Sequence, residues 1–318
     1  MTKEKLLVTG ATGFVGSCVC KSAEKTFSVH PAVRSKGIGA GGIAVGDITL
    51  ATDWRKALEG VHAVVHLAAR VHVMDDDAED PLAAFRRVNV EGTVNLARQA
   101  VRAGVKRFVF LSSVKVNGES TYSGRPFTPK DPAAPQDPYA VSKQEAELEL
   151  YRMAAETGLE VMVIRPPLVY GPGVKANFLR LMKTVHKGLP LPLGLVRNKR
   201  SLVAMDNLVD LIITCVDHSA AAGQTFLVSD GEDLSTPDLI RKLAYAMGRP
   251  ARLLPVPPAL LRLGGKMTGK TAEVDRLIGS LQVDISHTCD TLGWRPPVSV
   301  DDALWETGRD FVARIDND

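Results

Sequence analysis

Cysteine is scarce in this 318-residue chain, which contains only Cys18, Cys20, Cys215 and Cys289. Their spacing matches no metal-ligand pattern. We therefore expect four free thiols in a reducing compartment, which points to the cytoplasm. The acidic run Asp75-Asp76-Asp77 has no neighbouring residues that would complete a metal shell. We expect this run to be solvated surface, and we predict no metal site.

A large charge excess and long apolar runs are also missing. The 39 basic and 36 acidic residues leave a net charge of +3, too small to indicate a nucleic-acid partner. No apolar run reaches the roughly 20 residues that a membrane-spanning helix needs, so we expect no membrane insertion. Residues 1–5 are mostly charged and lead directly into a strand, so we expect no signal peptide. The 45% hydrophobic content is typical of a globular protein of one or two domains.

A glycine-rich turn follows the first apolar segment. Residues 5–9 predict a buried strand, and a helix is expected to reach about Lys25. The motif between them is Gly10-Ala11-Thr12-Gly13-Phe14-Val15-Gly16. This order is typical of a dinucleotide-binding opening, in which the pyrophosphate lies at the helix N-terminus. The glycine spacing alone arises readily by chance, so the prediction depends on its position between strand and helix.

The end of the second predicted strand, over 28–33, bears on the choice between NAD and NADP. An acid there usually binds the ribose 2′-hydroxyl of NAD, but this chain has Arg34, Ser35 and Lys36. These residues favour a 2′-phosphate, so the sequence predicts NADP(H), with NAD(H) possible. A solvated basic loop is the alternative. Asp47, beside Ile48, is predicted either to contact the adenine amino group or to cap a helix over 52–59.

Strands and helices alternate along the first half of the chain. Further strands are predicted over 43–45, 63–67, 107–111 and 160–165, with helices over 82–103 and from Pro138. This alternation predicts a doubly wound parallel sheet, the Rossmann fold, with ligands at the carboxyl ends of the strands. His66 is expected to pack within its strand. The strand ends carry Leu67, Ala68, Ala69, Ser112, Ser113 and Pro166.

The composition changes after Pro166, where Gly, Pro and short apolar runs dominate. We predict a dinucleotide-binding domain over 1–166 and a smaller substrate-binding lobe over 167–318, with an approximate boundary. Helices in this lobe are predicted over 177–187, 209–216 and 236–247. A lobe folded over the edge of the sheet would form a ligand cleft.

Tyr139 and Lys143 lie four residues apart on a predicted helix, so they share one face. Asp137 is the expected N-cap, and Pro138 suits the first helical position. An ammonium beside the phenol would lower the pKa of Tyr139 from about 10 towards neutrality, which would take roughly 4 kcal/mol. The phenol would then exchange protons near neutral pH. An ordinary exposed helix carrying a Tyr and a Lys is the alternative.

Taken together, these motifs resemble the extended short-chain dehydrogenase/reductase superfamily, in its nucleotide-sugar branch. They occur in family order over nearly the whole chain. The segments that carry the resemblance are Thr9 to Gly16, Gly46-Asp47, His66 to Ala69, Asn89 to Thr93, Ser112-Ser113, Tyr139 to Lys143 and Arg165 to Gly173.

The resemblance assigns roles to individual residues. Tyr139 is the expected acid/base, Lys143 its modulator and a ligand of the nicotinamide ribose, and Ser113 the hydrogen-bond donor to the reacting oxygen. Asn117 replaces a usual tyrosine, a departure expected to alter the substrate pocket. The expected substrate contacts are Ser113, Tyr139, Asn177, Arg200 and Arg276. The expected cofactor contacts are Gly10, Thr12, Gly13, Phe14, Val15, Gly16, Arg34, Asp47, Ile48, Leu67, Ala68, Ala69, Lys143 and Pro166.

Within this branch, Arg34 decides our prediction. We predict an NADPH-dependent 4-ketoreductase of a UDP-4-keto-6-deoxy-N-acetylhexosamine, forming UDP-N-acetylquinovosamine or its C4 epimer for surface polysaccharide. The alternative is a UDP-hexose or UDP-N-acetylhexosamine 4-epimerase with tightly bound NAD, since the same catalytic residues serve both reactions. A 4,6-dehydratase is disfavoured because Val114 and Lys115 stand where it has an acid pair. The intact catalytic set disfavours a non-catalytic NADP-binding protein. Family members usually dimerise through two helices per subunit, here about 82–103 and 139–157, so we expect a homodimer.

Overall fold

The computed structural model describes residues 3–35, 42–71, 80–122 and 124–316, so Lys36 and the acidic run Asp75 to Asp77 lie outside the described residues. The strands are β1 (Lys5–Thr9), β2 (Ser28–Val33), β3 (Ile43–Ala44), β4 (Val61–His66), β5 (Arg107–Leu111), β6 (Glu160–Arg165), β7 (Leu168–Tyr170), β8 (Arg200–Ala204), β9 (Thr225–Leu227) and β10 (Asp233–Leu234). The helices are α1 (Phe14–Ala23), α2 (Pro81–Arg86), α3 (Thr93–Arg102), α4 (Pro138–Thr157), α5 (Ala176–His186), α6 (Met205–Asp217), α7 (Thr236–Ala246), α8 (Pro258–Met267), α9 (Thr271–Ile278), α10 (Ser286–Leu292) and α11 (Val300–Ile315).

Seven strands form one sheet in the order β3-β2-β1-β4-β5-β6-β9, and every neighbouring pair is parallel. From β1 the chain winds to one side through β2 and β3, then returns and winds to the other side from β4. The direction therefore reverses between β1 and β4, where open parallel sheets bind their ligands. The predicted doubly wound fold is confirmed.

Apolar residues on both faces of the central strands form the core of this sheet. Leu6 and Val8 of β1 point to one face and pack in a cluster with residues of α1 and α6, whereas Leu7 points to the other face and packs with residues of α3 and α4. Successive side chains of a strand alternate between faces, so a strand covered on both sides must be apolar throughout. This explains the continuous apolar runs in the sequence.

The second half of the chain builds a smaller sheet and then returns to the large one. Strands β7, β8 and β10 form the small sheet, which shares a hydrophobic cluster with residues of α5, α7 and α11. By contrast, α6 packs on α1, and β9 pairs with β6 at the edge of the large sheet. Residues 205–227 therefore lie with the dinucleotide-binding part of the fold. The predicted division at residue 166 stays a prediction.

Two predicted helices differ from those in the structure. The helix expected over 82–103 contains a wide turn of π type at Arg87–Gly92 between α2 and α3. The helix expected over 52–59 is wrong, because this segment forms turns. There the carbonyl oxygen of Thr52 accepts hydrogen bonds from Asn95 and Gln99 of α3, and Gln99 accepts one from the Trp54 amide. Side chains of α3 thus occupy the Thr52 carbonyl, which a helix over 52–59 would have paired, and also satisfy the Trp54 amide.

Within the described ranges, no helix is both long and apolar enough to cross a bilayer. The same residues contain no group of three or more His, Cys, Asp or Glu side chains placed to hold a metal ion. Cys18, Cys20, Cys215 and Cys289 are all unpaired thiols.

Candidate active site

The glycine turn between β1 and α1 brings three chain segments into close contact. Gly10 has φ +69°, and a Cβ built on it would lie 2.8 Å from the Ala68 nitrogen. A Cβ on Gly16 would lie 2.1 Å from the Gly10 oxygen, so a side chain cannot fit at either position without moving backbone. Gly13 is the N-cap of α1 and supplies no side-chain cap. The start of α1 therefore offers backbone N–H groups to an anion, and the turn fits a dinucleotide pyrophosphate.

A buried hydrogen-bonded chain beneath this turn fixes the protonation of His66. Thr93 Oγ1 donates to the Asn89 carbonyl at 2.7 Å, so it accepts from His66 Nε2 at 2.9 Å. The unprotonated His66 Nδ1 then accepts from Thr9 Oγ1 at 2.7 Å. Burial, followed by the nearby Lys143 charge, lowers the pKa of His66 to about 3, so the ring stays neutral. His66 packs as predicted, but it also ties β1 and β4 to α3, a role that the sequence did not reveal.

The same chain positions the loop after β4, which is predicted to contact the cofactor. The Leu67 and Ala68 amides both donate to Thr9 Oγ1 at 3.2 Å. Farther along, Asn89 accepts from the Arg70 amide at 2.8 Å and donates to Ser142 Oγ at 2.9 Å. The loop is therefore held by hydrogen bonds to Thr9 of β1 and to Asn89, and Asn89 in turn is bonded to the helix that carries Tyr139.

Arg34 pairs with Asp47 at the end of β2. Their side chains form a 2.8 Å ion pair, and both are largely exposed, at 83% and 74%. The guanidinium predicted to bind a 2′-phosphate therefore already has a carboxylate partner, which offsets its charge. Asp47 is also not a helix cap, because the predicted helix over 52–59 does not form. The preference for NADP(H) is not confirmed.

Helix α4 begins as the sequence predicts. Asp137 is its N-cap and accepts from the Ala140 amide at 2.7 Å, and Pro138 is the first helical residue. This geometry places Tyr139 in the first turn, with its ring edge-on to Phe85 at 6.1 Å between centroids. Lys143 follows one turn later and is only 2% exposed.

The predicted lowering of the Tyr139 pKa is wrong for the protein alone. Burial, with a smaller contribution from Asp137, raises the pKa of Tyr139 above its usual value. Lys143 Nζ donates to the Leu111 carbonyl at 2.7 Å and lies 4.3 Å from the centre of the Phe110 ring. Burial also lowers the pKa of Lys143 to about 7, against a smaller opposing effect of Glu147. Desolvation therefore outweighs the attraction between phenolate and ammonium that the spacing indicated.

Ser112 and Ser113 follow β5, where they have different surroundings. Ser113 is partly buried and caps a short 3-10 turn, accepting from the Lys115 amide at 3.2 Å. Ser112 is buried and donates to Glu147 of α4. Ser113 thus lies at the carboxyl end of β5 as predicted, while Ser112 links that strand to α4.

A buried ion pair supports this part of the site. Arg165 Nε donates to Glu147 Oε1 at 3.0 Å, and a second guanidinium nitrogen donates to Asn117 Oδ1 at 3.0 Å. Asn117 in turn donates to the Thr128 carbonyl. Asn117 therefore anchors a loop and Arg165, and the expected effect of this departure on the substrate pocket stays a prediction. Sequence reasoning missed Glu147, although it continues the four-residue spacing of Tyr139 and Lys143.

The three further predicted substrate residues lie on the smaller lobe. Arg200, in β8, donates to the carbonyls of Arg276 at 2.8 Å and Gly279 at 3.2 Å. Arg276 lies in the exposed last turn of α9, so the structure brings the two arginines together. Asn177 is exposed in the first turn of α5, directly after Ala176, which has the unusual φ of +53°.

A glycine turn of the dinucleotide-binding type at the switch point, together with a Tyr and a Lys on one face of α4, indicates the class: a dinucleotide-dependent oxidoreductase. The sequence profile described as "NAD dependent epimerase/dehydratase family" matches residues 6–229, so the chain belongs to this family. A Vibrio cholerae protein named UDP-glucose 4-epimerase is 52% identical over 97% of this chain and 96% of its own length. The predicted placement in the nucleotide-sugar branch of the short-chain dehydrogenase/reductase superfamily is confirmed.

Solved structures agree on the fold. The structure of UDP-glucuronic acid 4-epimerase from Bacillus cereus in complex with NAD superposes on this one with a TM-score of 0.78 and 22% sequence identity. The superposition includes 98% of this chain and 99% of the Bacillus cereus chain. A short-chain dehydrogenase/reductase superfamily protein from Agrobacterium tumefaciens with bound NAD covers 99% of both chains at a TM-score of 0.77 and 23% identity. At these identities the likeness concerns the fold alone.

The predicted 4-ketoreductase activity is wrong. It depended on Arg34, since the catalytic residues are the same for a reductase and an epimerase. The 52% identity to the Vibrio cholerae protein supports an epimerase instead. The prediction from Arg34 also left out its ion pair with Asp47.

Proposed function

We propose that this protein is a UDP-hexose 4-epimerase that interconverts UDP-glucose and UDP-galactose with retained NAD. The observation that carries the proposal is the 52% identity over nearly the full length of both chains to a protein of that name. The site agrees with it, since it combines a dinucleotide turn with an acid/base pair on α4. We also propose NAD rather than NADP, because the Asp47 carboxylate offsets the charge of Arg34.

The residues proposed to hold the cofactor lie along the carboxyl edge of the large sheet. Bound NAD supplies the hydride acceptor and donor for the sugar carbon. The start of α1, from Gly10 to Gly16, would bind the pyrophosphate, and Asp47 with Ile48 would lie on the adenine side. Leu67, Ala68 and Ala69, together with Lys143 and Pro166, would contact the nicotinamide half.

Tyr139 and Ser113 are the proposed groups for the proton at the sugar C4 oxygen. Tyr139 would take this proton and return it, while Ser113 would hold the oxygen by a hydrogen bond. The raised pKa of Tyr139 keeps the phenol protonated in the protein alone, so it would have to release that proton to water before taking the one on the C4 oxygen. Protonated Lys143 would lower the free energy of the phenolate, so the pair on α4 would act as one unit.

Arg200 is the proposed ligand of the nucleotide diphosphate. One guanidinium nitrogen of Arg200 donates its two hydrogens to the carbonyls of Arg276 and Gly279. The other two guanidinium nitrogens carry three further N–H groups that can bind a phosphate. An arginine held in this way is oriented before ligand binds, which reduces the entropy cost of binding. Arg276 and Asn177 are proposed as additional substrate contacts. We further propose a cytoplasmic homodimer, given the free thiols and the pairing of α3 with α4 that is common in the family.

Turnover of UDP-glucose without added nicotinamide tests this function. The purified protein is expected to form UDP-galactose, followed by nuclear magnetic resonance, and to release NAD on denaturation. Tyr139→Phe should lower kcat by about 10²- to 10⁴-fold, the usual contribution of general acid–base catalysis. The matched control is Tyr245→Phe, since Tyr245 is 76% exposed. A near-normal rate for Tyr139→Phe, or released NADP, would contradict the proposal.

A further inference from the structure

Helix α8 presents an apolar stripe to solvent. Leu260, Leu263 and Met267 are 57%, 55% and 81% exposed, respectively. Their spacing of three and four residues places them on one face of the helix. We call these three residues the α8 stripe. Large apolar side chains that are exposed together on one helix face indicate an interaction surface.

The rest of α8 is fixed to the lobe, so the stripe must face outward. Gly265 lies against α9 so closely that a Cβ there would be 2.9 Å from a Val274 methyl. Leu261 and Val274 pack against the hydrophobic cluster of the smaller lobe. Rotating the helix to bury the stripe would break these contacts.

The sequence segment that contains the α8 stripe is rich in basic residues. Residues 251–277 contain five basic side chains but only two acidic ones, and the whole chain has 39 basic and 36 acidic residues. The net charge of this segment is therefore +3, equal to the net charge of the whole chain. One of its acids, Asp275, lies 3.5 Å from Arg262. The basic residues are Arg252, Arg262, Lys266, Lys270 and Arg276.

We propose that the α8 stripe docks the protein onto the surface of a membrane with anionic lipids. Helices with apolar side chains on one face and lysines or arginines beside them lie in this way at the bilayer interface. Each basic residue near an anionic leaflet strengthens binding by about fivefold, as follows from roughly 1 kcal/mol. The attachment is peripheral, since α8 has ten residues and cannot span a bilayer.

A lipid surface fits the α8 stripe better than a protein partner does. Protein interfaces depend strongly on Trp and Tyr anchors that fill pockets, and residues 251–277 contain no aromatic side chain. Fifteen of residues 251–270 are exposed, so most of this segment lies at the surface. Flexible Leu and Met side chains at the surface can enter the headgroup region without a shaped partner.

Sedimentation with lipid vesicles tests the proposal. The full chain should sediment with vesicles of phosphatidylcholine mixed with phosphatidylglycerol, but much less with phosphatidylcholine alone, and added salt should release it. The double variant Leu263→Asp/Met267→Asp and the double variant Lys266→Glu/Lys270→Glu should each lower binding at least tenfold. The matched controls are Leu50→Asp, at a residue 58% exposed, and Lys25→Glu; both should bind as the wild type does.

Three outcomes would overturn the proposal. In the first, the wild type stays in the supernatant with anionic vesicles. In the second, both double variants bind as strongly as the controls, with unchanged circular dichroism. In the third, the α8 stripe binds a second copy of the chain. Light scattering would then show a dimeric wild type and a monomeric Leu263→Asp/Met267→Asp variant, and neither would bind to vesicles. None of these results depends on the sugar that the enzyme converts.

Discussion

Lys143 should make the protein less stable at neutral pH, although the proposed chemistry needs it. Burial lowers its pKa from 10.5 to about 7, so it binds a proton more weakly in the folded than in the unfolded chain. This difference costs about 4 kcal/mol of folding stability at pH 7 and about 1 kcal/mol at pH 9.5. The unfolded chain binds more protons over this range, so the penalty decreases as pH rises.

Replacing Lys143 with methionine removes the charge from the buried position. The change also removes the donor to the Leu111 carbonyl, which costs about 1–3 kcal/mol at any pH. We therefore expect Lys143→Met to be about 1–3 kcal/mol more stable than wild type at pH 7, and of equal or lower stability at about pH 9.5. Its epimerase activity should fall sharply.

Urea unfolding of the nucleotide-free proteins measures this effect across the pH range. The difference between wild type and variant should change by about 3 kcal/mol between pH 7 and 9.5, whatever the lost hydrogen bond costs. The control is Lys25→Met at an exposed lysine, which should stay within about 0.5 kcal/mol of wild type. A Lys143→Met difference that is constant with pH would refute the assignment of a desolvated ammonium.

Three further changes test separate parts of the structure. Gly16→Ala should abolish the retained nucleotide, because a Cβ there would lie 2.1 Å from the Gly10 oxygen. The control Gly264→Ala, where a Cβ would have no atom within 4 Å, should keep the nucleotide. Equal nucleotide content in the two variants would contradict the proposed pyrophosphate-binding turn. Arg165→Met should lower the free energy of unfolding by about 3–5 kcal/mol, because it leaves the buried Glu147 carboxylate without its ion-pair partner. The control Arg152→Met breaks an exposed ion pair with Glu156 and should lower the free energy of unfolding by less than about 1 kcal/mol. Leu148 of α4 is 61% exposed, and Leu148→Asp should convert the proposed dimer to a monomer in light scattering. The control Leu50→Asp should leave the dimer intact. If the Leu148→Asp variant stays dimeric, the interface does not include this part of α4.

The sequence was sufficient for features that depend on local chemistry. Apolar runs between turn residues predicted β1, β2, β5 and β6 with the bounds seen in the structure. Asp137 followed by Pro138 predicted the start of α4, because capping involves residues close in the chain. The glycine turn was predicted for the same reason, since it is a strand, a turn and a helix in succession.

Predictions failed where the outcome depended on residues distant in sequence. The segment over 52–59 is not helical because Asn95 and Gln99 bind its backbone from α3. The NADP(H) preference, which stays unconfirmed, depended on Arg34 without the Asp47 carboxylate that the fold places beside it. Burial raises the pKa of Tyr139, and the spacing of Tyr and Lys in the sequence does not reveal how buried the phenol is.

Deuterium at C4 of UDP-glucose offers the most direct test of the proposed epimerase. We expect the purified protein to form UDP-galactose with the deuterium retained at C4, with no added nicotinamide and no net change in absorbance at the nicotinamide wavelength. Retention follows because the hydrogen that leaves C4 returns to the other face of the same carbon. Loss of the label to solvent, or turnover only while added NADPH is consumed, would contradict an epimerase with retained NAD.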